Sequence, residues 1–279
     1  MVDPPQTAVH DAVTRALAED LEPLGDVTSA LLPAGARATA RVVARAAGVL
    51  AGSACGIETF RQVDPSLSVD WRLADGTPMA PGDVIAEVAG AYPSILVAER
   101  TALNFLGHLS GIATLTARFV AAASPLRVWD TRKTTPGLRA LEKAAVRAGG
   151  GHNHRGNLSE WVLLKDNHLA LLPIADAVKR AREQWPGRTV QVEADTLEQL
   201  EEAIAAGADI VLLDNMTPDQ VRACVGCRGA APSPLLEISG GVTLENLPAY
   251  ATTGADLVSS GALTHSAPSL DLALDIVTT

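Results

Sequence analysis

Basic side chains concentrate between Arg127 and His168, where the chain holds eight of its 22 Lys and Arg residues and only four acidic ones. The chain as a whole, in contrast, has a formal net charge of −10. Arg binds carboxylate and phosphate oxygens in pairs, and Lys supplies a point charge to phosphate. A basic pocket in an acidic chain therefore indicates a ligand with several negative charges. The alternative is a solvated helical face held by salt bridges.

Polar residues follow each apolar run in the second half of the chain. They are Asp130, Thr131, Arg132 and Lys133; Lys165; Glu193; Asp214; Ser239, Gly240 and Gly241; and Ser260 and Gly261. If the runs are parallel strands of a barrel, these residues converge on one rim, where active sites of such barrels lie. Cap chemistry is an alternative for Asp214 or Ser239 taken singly.

Three roles are open for Glu193 and Asp214, which follow neighbouring runs. They could form a general acid/base pair, act as counter-ions for Lys165 and Lys133, or lie in the outer sphere of a hydrated Mg²⁺. The glycines at the last two runs favour phosphate binding, because their backbone N–H groups can approach an anion closely.

The elements that must position these residues follow from the apolar pattern. Strands are predicted at Leu126–Trp129, Trp161–Leu164, Val190–Val192, Ile210–Leu213, Leu235–Ile238 and Leu257–Val258. Helices are predicted between them at Leu138–Ala148, Ala175–Gln184, Leu197–Ala206, Pro218–Val225 and Leu244–Thr253. Repeated strand–helix units predict a parallel sheet that closes into a barrel.

The first 90 residues differ, because short apolar runs alternate there with Gly and Pro turns after a predicted helix at Ala8–Glu19. This pattern predicts antiparallel strands and hairpins. A long helical stretch from Ser94 to Ala122 follows, and we expect an interruption near Gly107–Gly111.

Length and composition limit the classes of protein to which this chain can belong. The chain has 279 residues, which is enough for one large or two smaller α/β domains, and 47% of the residues are hydrophobic. Its acidic balance argues against nucleic-acid binding. We expect no membrane span, since no continuous run of about 18 apolar residues occurs. Three Cys and no signal-like N-terminus predict a cytoplasmic protein. We interpret the pair Cys224 and Cys227 as a chance spacing, because no second ligand pair completes a zinc set.

Motifs along nearly the whole chain resemble those of the quinolinate phosphoribosyltransferase family. The resemblance is carried by Glu19-Asp20, Gly25–Ser29, Glu99–Asn104, Asp130–Gly137, Gly149–Gly151 with Asn153–Arg155, Lys165–His168, Val192–Asp195, Leu213–Met216, Ser239–Val242 and Ser260–His265. Each motif alone is weak evidence, but the whole set in this order is specific to the family.

The resemblance implies an N-terminal α/β sandwich domain and an open TIM-like α/β barrel of six to seven parallel strands. We place the sandwich at residues 1–110, joined by the tail 270–279, and the barrel at 111–269. The implied reaction joins quinolinate to phosphoribosyl pyrophosphate and gives nicotinate mononucleotide, pyrophosphate and CO₂ in NAD synthesis, with Mg²⁺ as cofactor. The family pairs protomers head-to-tail, which implies a homodimer or a higher oligomer.

The resemblance assigns the site residues of the family to positions in this chain. Quinolinate would contact Thr131, Arg132, Lys133, His154, Arg155, Lys165 and, from the partner protomer, Arg100. The phosphoribosyl group would contact Lys133, Lys165, Glu193, Asp214, Ser239, Gly240, Gly241, Ser260, Gly261 and Ala262. Lys133, Lys165, Glu193 and Asp214 would be catalytic, and the two carboxylates would face Mg²⁺ through water. For Arg100, the alternative is an ion pair on its own helix surface.

One loop departs from the family pattern His-Arg-x-Gly-Leu-x-Asp, since this chain reads His154-Arg155-Gly156-Asn157-Leu158-Ser159-Glu160. Because Asn tolerates the left-handed conformation that Gly provides, we expect the loop to be preserved. Other functions remain open for this chain. It could be a relative that transfers a phosphoribosyl group to another anion such as nicotinate, or a homologue encoded at a molybdate locus. It could also be a barrel aldolase or isomerase with a Schiff base on Lys165, or a non-catalytic binding protein.

Overall fold

The computed structural model describes residues 3–33, 35–231 and 233–277. The chain forms two compact units. The first, called here the N-terminal unit, comprises residues 1–117, 134–150 and 263–279; the second, called the barrel unit, comprises residues 118–133 and 151–262. Helix 139–148 and the C-terminal strand thus belong to the N-terminal unit. The domain boundaries proposed from the sequence, 1–110 and 111–269, stay a prediction.

The N-terminal unit contains an antiparallel four-stranded sheet. Its strands are β1 (Arg37–Ala44), β3 (Ser68–Trp71), β5 (Val84–Ala91) and β12 (Leu272–Val277), in the order β12-β1-β5-β3. The short strands β2 (Gly48–Val49) and β4 (Pro78–Met79) pair separately. The helices are α1 (Gln6–Leu21), the 3₁₀ helix Ser29–Leu31, α2 (Ser53–Val63), α3 (Tyr92–Ala123, which extends into the barrel unit) and α4 (Arg139–Ala148). Apolar residues such as Phe60, Ile85 and Leu106 are fully buried in this unit.

Helix α3 runs for 32 residues without a break, so the predicted interruption near Gly107–Gly111 is wrong. These glycines serve close packing instead. A Cβ at Gly111 would lie 2.1 Å from the Pro268 carbonyl oxygen, and one at Gly107 would lie 3.0 Å from that of Leu270. By length and composition α3 could cross a membrane, but 56% of its most apolar window is buried, as expected for a core helix.

The barrel unit is built on six parallel strands. They are β6 (Arg127–Trp129), β7 (Val162–Leu164), β8 (Val190–Ala194), β9 (Ile210–Asp214), β10 (Leu235–Ser239) and β11 (Leu257–Ser259). The hydrogen-bonded order is β6-β11-β10-β9-β8-β7, and His152 adds a parallel bridge to Trp129 at the outer side of β6. All six predicted strands are present within one or two residues, and the predicted fold class is confirmed.

Helices follow the strands at α5 (Asp166–Leu169), α6 (Ile174–Gln184), α7 (Leu197–Ala206), α8 (Pro218–Arg228), α9 (Leu247–Ala251) and α10 (Ala262–His265). The sequence pattern missed α5 and α10, and α9 is shorter than predicted. Asn246 accepts a hydrogen bond from Thr243 N at 2.8 Å, so the residues before α9 form a side-chain-capped turn. Gly207 ends α7 in the left-handed conformation (φ 80°).

Two aspartates stabilise the amino ends of the strands in the same way. Asp209 precedes β9 and accepts the Val190 N–H at 2.7 Å. Asp256 precedes β11 and accepts the Leu236 N–H at 2.8 Å. Each carboxylate also pairs with an Arg from a helix, Arg182 for Asp209 and Arg228 for Asp256. Both aspartates therefore join neighbouring strands at the end of the barrel where the strands begin.

Candidate active site

A cavity of approximately 660 Å³ lies at the carboxyl ends of the barrel strands. Eleven of the predicted site residues line it: Thr131, Arg132, Lys133, His154, Arg155, Lys165, Glu193, Asp214, Ser239, Gly240 and Gly241. They come from the ends of β6 to β10 and from the segment after His152, as the convergence argument predicted.

Carboxylates occupy the part of the cavity formed by β8 and β9. Glu193, which is 7% exposed, pairs with the Lys165 ammonium. Burial, followed by the nearby charge of Glu193, raises the pKa of Asp214, and Lys165 and Lys133 partly offset this rise. Glu193 and Asp214 thus form an anionic pair with lysines nearby, and the Lys165–Glu193 ion pair is the contact that the counter-ion alternative requires.

Two guanidinium groups occupy the opposite part. Arg155 is 8% exposed, and burial together with the nearby charge of Arg132 lowers its pKa. Its Nη1 donates to the Trp161 carbonyl oxygen at 3.2 Å, and among the described residues no carboxylate pairs with it. A buried cation beside a second cation is unfavourable unless an anion binds there. This part of the cavity therefore needs an anionic ligand.

The segment that carries His154 and Arg155 is held by Asp130, which is fully buried at the end of β6. Its carboxylate accepts the His154 N–H at 2.8 Å and the Asn153 side-chain amide at 2.6 Å. The sequence pattern placed Asp130 at the rim but gave it no role. Its position directly after a strand was visible in the sequence, but its partner 24 residues away was not.

The floor of the cavity is polar and was missed from the sequence. Glu237 is fully buried and accepts hydrogen bonds from Ser259 Oγ and from Gln191 Nε2, the latter at 2.7 Å. Gln191 Oε1 in turn accepts the Trp161 Nε1–H at 3.2 Å. The available signal was an isolated polar residue inside each of two apolar strands, at positions that alternate inward.

A backbone turn after β10 fits phosphate. Gly240 and Gly241 both have positive φ (85° and 61°), and a Cβ at Gly240 would lie 2.2 Å from Asn215 Oδ1, so only glycine fits there. Among the described residues neither N–H donates a hydrogen bond within the chain. These donors lie at the cavity wall, where an anion can accept them.

Four predicted residues do not line this cavity. Ser260, Gly261 and Ala262 follow β11 directly, and within the described part of the chain the cavity wall ends at Ser259. Ser260 N donates to the Trp129 carbonyl oxygen at 3.1 Å. Arg100 belongs to the N-terminal unit and is exposed on α3.

The loop 154–160, in which Gly and Asn exchange places relative to the pattern quoted above, is stabilised by hydrogen bonds to its own side chains. Glu160 accepts the Gly156 N–H at 2.7 Å, and Asn157 accepts the Ser159 N–H at 2.7 Å. Asn157 does not use the left-handed conformation that Asn tolerates, since the one described non-glycine residue with positive φ is Asn215. The side-chain hydrogen bonds make that conformation unnecessary.

Comparison with known proteins identifies the architecture. Residues 26–110 match the N-terminal domain of quinolinate phosphoribosyl transferase, and residues 112–275 match the C-terminal domain. A probable nicotinate-nucleotide pyrophosphorylase (carboxylating) of Bacillus subtilis is 45% identical, covering 90% of this chain and 88% of that one. The Mycobacterium leprae enzyme is 43% identical, covering 96% of this chain and 97% of that protein. The solved nicotinate-nucleotide pyrophosphorylase of Francisella tularensis superposes with a TM-score of 0.93 at 38% identity, covering 99% and 98% of the two chains. The chain therefore belongs to the quinolinate phosphoribosyl transferase family.

Proposed function

We infer that the chain transfers the phosphoribosyl group of 5-phosphoribosyl 1-pyrophosphate to quinolinate with decarboxylation. The products are nicotinate mononucleotide, pyrophosphate and CO₂, and the reaction belongs to NAD biosynthesis. Family membership and the names of the relatives support this activity. The observation that carries it is the buried Arg155, which lies beside Arg132 and has no carboxylate partner among the described residues.

Quinolinate binds at the Arg-rich part of the cavity. Arg132 and Arg155 hold its two carboxylates, and His154 and Thr131 lie within the same wall. The Thr131 hydroxyl accepts the Lys133 N–H at 3.0 Å, so this residue also shapes the turn that presents Arg132. Two guanidinium groups match two carboxylates better than one, which favours quinolinate over a pyridine monocarboxylate.

The phosphoribosyl group binds at the Gly-rich part. Ser239, Gly240 and Gly241 surround the 5′-phosphate, and we extend this group to Ser260, Gly261 and Ala262, which follow the adjacent strand. Lys133 and Lys165 lie between the pyridine and the pyrophosphate. They stabilise the negative charge that develops on the leaving group.

Charge placement determines the order of bond changes. The bond from C1′ to pyrophosphate breaks, and Glu193 and Asp214 stabilise the positive charge left on the ribose. The pyridine nitrogen then bonds to C1′. The quaternised ring takes up the electron pair of the adjacent carbon–carboxylate bond, CO₂ leaves, and a proton replaces it. No general base is required for the transfer step.

The site fits a hydrated Mg²⁺ rather than a metal held by protein alone. Among the described residues no group of three or more His, Cys, Asp or Glu side chains could hold an ion. Mg²⁺ commonly keeps waters and takes one or two carboxylates with substrate phosphates. Glu193 and Asp214 would face it through water, and the ion would neutralise charge on the pyrophosphate. Activity that persists in excess chelator would contradict this assignment.

We further propose a homodimer, with a higher oligomer as the alternative, in which Arg100 completes the neighbour's quinolinate site. In the described part of the chain Arg100 has no ion pair, so the alternative of a salt bridge on its own helix is not supported. It lines a pocket of about 290 Å³ in the N-terminal unit with Asn104 and His108. We also expect a cytoplasmic location, which the three free cysteines fit.

Release of labelled CO₂ tests the function. The purified chain, given quinolinate labelled in the carboxylate next to the ring nitrogen, should release CO₂ only when phosphoribosyl pyrophosphate and Mg²⁺ are both present. Nicotinate in place of quinolinate should give no nucleotide. Nucleotide formation from nicotinate at a comparable rate would instead indicate the monocarboxylate transferase.

A further inference from the structure

Glu237 is a buried carboxylate to which the proposed reaction gives no part. It lies on β10 below the phosphate-binding turn, and its side chain is 0% exposed. Its two hydrogen-bond donors, Ser259 Oγ and Gln191 Nε2, are both neutral. A buried carboxylate is costly unless it is hydrogen-bonded and its charge is balanced. These two donors leave acceptor capacity on the carboxylate for a third polar neighbour.

That neighbour is the imidazole of His154. Its Nε2 lies 3.4 Å from Glu237 Oε2, and the ring is 7% exposed. Two indole rings confine it, with ring centroids 4.8 Å away for Trp161 and 5.9 Å away for Trp129. Trp161 is itself tied to Gln191 by a hydrogen bond. The ring of His154 is therefore held between the cavity floor and two aromatic side chains.

We propose that Glu237 is a positioning residue for His154. Its carboxylate favours a proton on the ring nitrogen that faces it, and so fixes the tautomer and the orientation of the imidazole. The ring then presents its other edge to a carboxylate of the pyridine substrate. Glu237 thereby contributes to the preference for a pyridine dicarboxylate. This inference rests on the proposed function, in which His154 contacts quinolinate.

The test is steady-state kinetics on Glu237→Gln, which keeps the size and hydrogen-bonding capacity of the side chain but removes its charge. We expect KM for quinolinate to rise about tenfold, equivalent to about 1.4 kcal/mol. KM for phosphoribosyl pyrophosphate should stay within about twofold, since the phosphate-binding backbone is untouched. Equal increases in both KM values, or none, would overturn the proposal.

A double-mutant cycle separates positioning from a structural role. In a His154→Ala background, Glu237→Gln should add almost nothing to KM for quinolinate, because the group through which it acts is gone. Fully additive effects would make Glu237 a structural residue of the floor. If Glu237→Gln does not fold, Ser259→Ala removes one hydrogen bond to the same carboxylate. It should give a smaller rise that also disappears in the His154→Ala background, and a rise that persists there would contradict the proposal.

Asp209→Asn is the matched control, since it neutralises a carboxylate at the other end of the barrel. It should leave both KM values unchanged. Failure of the inference and failure of the proposed function are distinguishable. If the wild-type chain releases no CO₂ from quinolinate, the proposed function fails; if it does and Glu237→Gln has wild-type KM values, the positioning role alone fails.

Discussion

The two ends of the barrel strands use the same charged residue types in opposite ways. At the amino ends, Asp209 and Asp256 each accept a backbone N–H of the neighbouring strand and pair with an Arg. At the carboxyl ends, Arg155 lies near Arg132, and Asp214 lies near Glu193. At the amino ends each carboxylate has its own Arg partner, whereas at the carboxyl ends like charges lie side by side even though Lys165 pairs with Glu193. Neighbouring like charges thus distinguish functional from structural residues better than residue type does.

The largest expected effect concerns the carboxylates at the carboxyl ends. Glu193→Gln or Asp214→Asn should lower kcat by about 100-fold or more, because each removes charge that stabilises the developing positive charge on the ribose. Both proteins should keep a wild-type melting temperature and circular dichroism spectrum. Thr217, and not Asp214, caps the helix that follows β9, so a wild-type kcat in Asp214→Asn would leave Asp214 without the proposed role.

Subunit complementation tests the proposed contribution of Arg100 to a neighbouring site. Arg100→Ala and Lys165→Ala proteins should each be inactive alone. After subunit exchange about half of the dimers are mixed, and each mixed dimer has one intact site, so roughly a quarter of wild-type activity should return. No recovery after exchange verified by mass spectrometry would place Arg100 outside the partner's site.

The raised pKa of Asp214 predicts the acid limit of activity. Its ionised form is required, so kcat/KM should fall as pH drops through a value above the ordinary 3.8. Glu193→Gln removes the like charge next to it, and the residual activity of that variant should therefore persist to lower pH. A pH–rate profile of both proteins measures the shift. An acid limb that moves upward in Glu193→Gln would contradict the assignment.

The smallest effect on activity is expected at the amino ends. Asp256→Ala removes the acceptor of Leu236 N–H and the partner of the largely buried Arg228, so the free energy of unfolding should fall by about 1–3 kcal/mol. Asp209→Ala should cost less, because its pair with Arg182 is about 40% exposed. Urea denaturation measures both, and kcat/KM should be unchanged. A loss of activity with intact stability would show that this end also serves function.

The sequence predicted the six strands because each is a short, mostly apolar run followed by a polar residue. It predicted the rim residues because parallel strands bring their carboxyl ends together. The prediction at Gly107 and Gly111 was wrong, because a glycine that lets the 268–270 backbone pack closely cannot be distinguished in sequence from one that breaks a helix. The roles of Asp130 and Glu237 depend on partners 24 and 22 residues away, which no local pattern reveals.

The central claim is that the neighbouring guanidinium groups of Arg132 and Arg155 bind the two carboxylates of quinolinate. Titration calorimetry of wild type, Arg132→Ala and Arg155→Ala with each substrate tests it most directly. Removing one partner of a buried charge pair costs roughly 2–5 kcal/mol, so quinolinate affinity should fall about 30-fold or more. Affinity for phosphoribosyl pyrophosphate should change little. Equal losses for both substrates would show that these arginines support the fold of the site and do not bind quinolinate.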